Sequence, residues 1–103
     1  MRIDARTHLE SFVGQDIHTL TGKPNRILGF DGFDVIVATQ RSPQGRPVPV
    51  AWVQDAMDAL LEHGELVIDV KTVGYRSAFI GAVLATLPGT ETRLAPRRVI
   101  LRQ

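Results

Sequence analysis

The chain has 103 residues, 44% of them hydrophobic and 22% charged, which fits one globular domain with its own core rather than a disordered tail. It has no cysteine, which excludes disulfides, thiolate metal ligands and thiol nucleophiles. A net charge of +1 excludes an indiscriminate nucleic-acid glue.

From the N-terminus, Asp4 to Val13 can form a short helix with Asp4 as its cap, Leu9, Phe12 and Val13 on one face, and Gly14 as its end. The charges in MRIDARTHLESF leave no room for the apolar run of a signal peptide, and no stretch reaches the ~20 apolar residues of a membrane span. A reduced, cytoplasmic setting is the expectation.

Ile17 to Thr21 is a short strand candidate. Asn25 to Phe30 and Phe33 to Thr39 flank Asp31-Gly32, a pair that suits a type I′ hairpin turn. Val35 and Val37 then point one way, Asp34, Ile36 and Ala38 the other. Arg41 to Pro49 (RSPQGRPVP) reads as a loop, because its prolines and glycine interrupt regular structure. Arg41, Ser42, Gln44 and Arg46 on that loop suit either a plain connection or contacts in a DNA groove.

Val50 to His63 is the clearest helix. Val53, Met57, Leu60 and Leu61 recur at helical spacing, and Gly64 is placed to stop it. Trp52, at its start, reads as core or core edge. Glu65 to Val70 alternates as a strand. Tyr75 to Leu87 carries a strong apolar stripe (Phe79, Ile80, Val83, Leu84, Leu87), with Thr72 or Gly74 as cap and Pro88-Gly89 as stop. Its other face is small (Ala78, Gly81, Ala82, Ala85), open either to close packing on another helix or to a phosphate backbone. A last strand follows, with Pro96 restricting its start to an edge or bulge.

The expected fold is therefore α+β: a small antiparallel sheet with three helices in a single domain, residues 1–40 forming a helix-plus-hairpin part, 41–49 a loop, and 50–103 a winged-helix-like helix–strand–helix–strand part.

The chemistry of catalysis is missing from the pattern. His8, His18 and His63 lie at no metal-ligand spacing, and there is no nucleophile elbow, Walker loop or dinucleotide fingerprint. Thr21-Gly22-Lys23-Pro24 lacks the glycines of a phosphate loop and reads as a turn. Asp31 and Asp34 are explained by a turn and by solvation. No catalytic residue, metal or cofactor is expected, and the chain is read as a binding module rather than an enzyme.

Charge is unevenly distributed. Residues 1–70 carry six Lys and Arg against ten Asp and Glu, a net of −4; residues 71–103 carry six against Glu91 alone, a net of +5. Either one end of the fold is positive, or the two parts neutralise each other. On the first reading, Lys71, Thr72, Tyr75, Arg76 and Ser77 gather at a helix N-terminus, where free N–H groups favour anions. Arg93, Arg97, Arg98 and Arg102 then form a basic wing that tracks phosphates. The site expected for DNA is Lys71, Thr72, Tyr75, Arg76, Ser77, Arg93, Arg97 and Arg98. The alternative is protein interaction or dimerisation through the Ala/Gly helix face or an edge strand.

Three segments carry a family resemblance: Thr21-Gly22-Lys23-Pro24-Asn25-Arg26-Ile27, Val48-Pro49-Val50-Ala51-Trp52-Val53, and Gly74 to Leu84 (GYRSAFIGAVL). They resemble small DNA-reading accessory domains of bacterial modification-dependent restriction endonucleases of the HNH type. The resemblance implies DNA as partner and a nuclease domain elsewhere in a longer protein, since no HNH signature occurs in this chain; a homodimer partner is the other expectation. No aromatic cage for a flipped base is legible.

Overall fold

Asp4 starts the first helix, as its sequence position suggests: its carboxylate accepts from Thr7 N at 3.0 Å. The computed structural model describes residues 3–74 and 76–102. Helix α1 spans Ala5–Glu10, shorter than expected, and residues 11–14 leave it in turns, with Gly14 at φ +83° donating to Ile27 O. Gln54 holds α1 against the rest of the protein. Its Oε1 accepts from Ala5 N, and its Nε2 donates to Ile3 O, both at 2.7 Å.

A four-stranded antiparallel sheet follows in the order β1-β2-β3-β4, with β1 Asp16–His18, β2 Pro24–Asp31, β3 Asp34–Ala38 and β4 Arg46–Pro49. The β2–β3 turn differs from the type I′ expectation. Asp31 pairs with Asp34, so the two turn residues are Gly32 and Phe33, and only Gly32 has positive φ (+61°). Glycine in the first central position is the type II′ signature, and it leaves Phe33 90% exposed at the tip. The alternation in β3 is as expected, with Val35 and Val37 buried.

The expected loop 41–49 is a correction. Only its first part is a turn, and Arg46–Pro49 is a strand paired with β3. Prolines at alternate positions 47 and 49 are tolerated because β4 is an edge strand, which needs ladder donors on one side only.

Residues 50–102 build a second unit: α2 Val50–His63, β5 Glu65–Val67, α3 Val70–Val73, α4 Ser77–Ala85, β6 Thr90–Leu94 and β7 Arg97–Leu101. The expected helix at Val50 to His63 is present with those bounds, closed by Gly64 in the left-handed region. The strand expected to reach Val70 stops at Val67. Asp69 turns the chain instead, its carboxylate accepting from Thr72 N at 2.8 Å to start α3. Thr72 therefore sits inside α3 and caps nothing. Gly74 is the C-cap of α3, and Arg76 takes the N-cap position of α4.

Among the described residues there are thus four helices and two sheets, not three helices and one sheet; the α+β class holds. The second sheet has the order β5-β7-β6, which puts the basic strand Arg97–Leu101 in the centre. Pro96 lies in the β6–β7 turn, so it marks neither an edge nor a bulge. Among the described residues, no helix is long and apolar enough to cross a membrane.

One continuous core spans both sheets, from Leu9, Ile27 and Val48 to Met57, Leu60, Ile80, Leu84 and Val99. The small face of α4 is used inside it. A Cβ at Gly81 would stand 2.8 Å from Ile68 Cγ2 and 3.2 Å from Leu20 Cδ1. Gly81 and Ala82 are buried, so this part of the face admits the β1–β2 connection, while Ala78 at its start stays exposed. Overpacking a site with no free space costs about 3 kcal/mol, and removing glycine from a helix interior recovers about 1 kcal/mol. Gly81→Leu is therefore expected to lose about 2 kcal/mol, seen as a lower urea midpoint at unchanged slope. A midpoint at or above that of the parent chain would contradict the close packing described.

Candidate nucleic-acid interface

The loop between β3 and β4 is built to be rigid. Thr39 and Ser42 exchange backbone hydrogen bonds at 3.2 Å in both directions, Ser42 N also donates to Thr39 Oγ1, and Gly45 N donates to Ser42 O. Gly45 has φ +94°, and a Cβ there would meet Ile36 Cγ2 at 2.6 Å and Leu28 Cδ1 at 2.9 Å. Leu28 reaches this position because the β2–β3 register shifts between Ile27 and Gly29. The loop lies pressed onto the sheet, and Arg46 is oriented on it, Nε donating to the buried Ser42 Oγ at 3.0 Å.

Opposite that loop is the start of α4. Arg76 has φ +71° and ψ +26°, the left-handed conformation, at a cost of roughly 1–2 kcal/mol for a residue with a Cβ. It lines, with Thr39, Arg41, Ser42 and Arg46, an open pocket of about 370 Å³. Thr39 and Arg41 also line a neighbouring pocket of about 290 Å³ with Thr19, Lys23, Pro24, Asn25, Gln40 and Ala78. Thr19 and Ala78 in turn border a small cleft with Leu20, Thr21, Ile68, Ser77 and Arg97. Shared walls thus join Arg46, Arg76, Arg41, Lys23 and Arg97 into one tract passing the first turn of α4. No carboxylate is among the described residues lining these three depressions; Asp69 lines the next, with Ser77 and Arg97. Lys23, Arg41, Arg46 and Arg97 make no ion pair with another described residue.

The eight residues expected at a DNA site are divided by the fold. Arg76, Ser77 and Arg97 lie on the tract. Arg93 and Arg98 do not: Arg93 pairs with Glu91 at 2.6 Å, and Arg98 with Glu65 at 3.6 Å, both across or along the second sheet. Arg102 shares Glu91 at 3.0 Å. Lys71 is exposed on α3, and Thr72 lines a different groove with Trp52. Tyr75 lies outside the described residues. The tract is completed by Lys23, Arg41 and Arg46. The Arg41–Arg46 loop is legible as a candidate from its composition; Lys23, in what reads as a plain turn, is not.

Compared with protein-family models, with curated proteins and with solved structures, the chain matches none.

Partial burial pushes the Glu91 carboxyl up, but hydrogen bonds and charge from Arg93 and Arg102 more than offset it and hold it below the usual value of 4.5. A depressed carboxylate contributes stability that is present above its unfolded pKa and is lost as the pH falls through its folded one. The stability difference between the parent chain and Glu91→Gln should be constant above about pH 5 and shrink in more acid solution. Urea titrations at several pH values measure it, and a difference that grows on acidification would contradict the ion triad.

Proposed function

We propose that the chain is a DNA-binding module that holds the phosphate backbone along the Arg46–Arg76–Arg41–Lys23–Arg97 tract. The observation that carries this reading is the continuity of that tract, in which shared pocket walls join Lys23, Arg41, Arg46 and Arg97 past Arg76 and the first turn of α4. Arginine forks, hydroxyls and the start of a helix are the groups that bind phosphates.

The order helix–strand–helix–helix–strand–strand over residues 50–101, with the last strand central, supports a winged-helix-like unit. In this unit α4 does not enter a groove, because Phe79 through Leu84 are all buried. Only its first turn, at Ser77 and Ala78, approaches the nucleic acid. Contacts of that kind fix position and carry little base information, so binding depends weakly on sequence. A nuclease domain elsewhere in a longer protein, as the family resemblance implies, would supply any cleavage.

The interaction reading also has one observation in its favour. Trp52 (41% exposed), Ala56, Ala59, Leu66, Val73 and Gly74 line a largely apolar groove of about 270 Å³ between α2 and α3, with Asp55 and Thr72 also on its wall. A partner there would survive high salt, and Trp52, the only tryptophan, would report it by fluorescence.

If Lys23, Arg41, Arg46 and Arg97 each neutralise one phosphate, log K against log[salt] should fall with a slope of about −3.6 on duplex DNA, and Arg41→Ala should reduce it by about 0.9. Arg97→Ala should reduce it by a similar amount. Arg93→Ala should leave the slope unchanged. Fluorescence anisotropy over a salt series reads all three, and a slope near zero in the parent chain would overturn the proposal.

A further inference from the structure

Among the described residues four strands form the edges of the two sheets, and three of these are short or blocked. β1 and β5 have three residues each. β4 carries Pro47 and Pro49, which have no N–H to donate. β6 has five residues, Thr90–Leu94, with neither proline nor bulge. We infer that β6 pairs antiparallel with β6 of a second copy of this chain, about a two-fold axis at Thr92, and joins the two three-stranded sheets into one. This inference stands apart from the DNA-binding reading.

The first argument is where the backbone groups point. In β7, Leu101 N donates to Gly64 O and Arg97 O accepts from Ile68 N on the β5 side, whereas Arg102 N donates to Gly89 O on the β6 side. Backbone groups alternate sides along a strand, and residues paired across an antiparallel ladder face each other in step. The register sets Ile100 against Glu91 and Arg98 against Arg93. Glu91 and Arg93 therefore turn their N–H and C=O groups to β7, and Thr90, Thr92 and Leu94 turn theirs to the open side. With the axis at Thr92, that residue meets Thr92 of the second copy and Thr90 meets its Leu94. Every outward backbone group of the strand then gains a partner.

The second argument is charge. The neighbouring registers that keep outward groups together centre the axis on Glu91 or on Arg93. Each sets a charged residue directly against its own copy, which is destabilising. The register centred on Thr92 instead sets Glu91 against Arg93 on both sides of the axis. An edge charged only to discourage pairing has no such match to itself. Glu91 has room for the new contact: Arg93 and Arg102 both hold its Oε2, and its Oε1 meets no donor among the described residues. Arg93 Nη1 donates to Thr92 O at 3.2 Å within one chain. By turning to Glu91 of the second copy it frees that carbonyl for the incoming N–H of Thr92. Leu94, 61% exposed, comes to lie against Thr90 of the second copy.

One strand on each side makes a small, transient interface, on the order of 1,200 Å² or less, so the dimer belongs to concentrated solution. In sedimentation equilibrium the parent chain should rise from 11.3 kDa toward twice that mass as its concentration nears the millimolar range. Glu91→Arg and Arg93→Glu should each weaken self-association about tenfold, because like charges replace opposite ones twice in each dimer. An equimolar mixture of these two variants should associate as well as the parent chain, since glutamate again faces arginine across the axis. Recovery in the mixture separates a lost contact from a damaged fold. Thr92→Pro removes an outward N–H at a position where an edge strand tolerates proline, and should leave a monomer with an unchanged circular dichroism spectrum. A parent chain that stays monomeric throughout would overturn the inference. A dimer that neither the reversals nor Thr92→Pro weaken would also overturn it and move the contact to another surface.

Discussion

The missing side chain at Gly81 governs how the two sheets of this protein meet. Because α4 presents only hydrogen at that point, Leu20 from the β1–β2 connection and Ile68 from just before α3 both close onto the helix. That contact carries the β1–β2 connection, and with it Lys23 and Thr19, to the exposed start of α4. The same docking lets the β3–β4 loop stand beside Arg76. A larger residue at position 81 would have to push aside the Ile68 side chain at 2.8 Å and the Leu20 methyl at 3.2 Å.

Electrostatics are then sorted by topology. The second sheet brings Glu65 and Glu91 to the arginines of β6 and β7, so much of the C-terminal positive charge is neutralised within the sheet. Exposed pairs of this type contribute little to stability, but they remove Arg93, Arg98 and Arg102 from competition for an anion. In the N-terminal part Arg26 is engaged by Asp16, its partner in register across β1 and β2, while Lys23, Arg41 and Arg46 meet no carboxylate among the described residues. The positive surface is therefore assembled from both parts of the chain, although the N-terminal part is acidic overall.

This explains what was legible in the residues and what was not. Local signals carried the fold class: the Asp4 cap, the stripe of α2 with Gly64 behind it, and the alternation of β3 all appear where the pattern puts them. Where two local signals competed, the weaker reading failed. Asp69 fits an alternating strand, but its carboxylate captures Thr72 N and turns the chain into α3. Gly32 with Phe33, not Asp31 with Gly32, fills the hairpin turn, because one glycine in first place suffices for type II′. Pro47 and Pro49 hid a strand whose edge position makes them harmless. The site was half visible: Arg76, Ser77 and Arg97 follow from the basic C-terminal third, but ion pairing of its other arginines and the arrival of Lys23 are long-range facts that composition does not encode.

The central claim is that one face, running from Arg46 past the start of α4 to Arg97, meets DNA. A titration of the ¹⁵N-labelled chain with a short duplex at low salt tests it residue by residue. Amide shifts should concentrate at Thr19–Asn25, Thr39–Arg46, Arg76–Ala78 and Arg97, leaving Glu91, Arg93 and Arg102 still. Shifts confined to the β6–β7 strands, or no shifts at all, would contradict it.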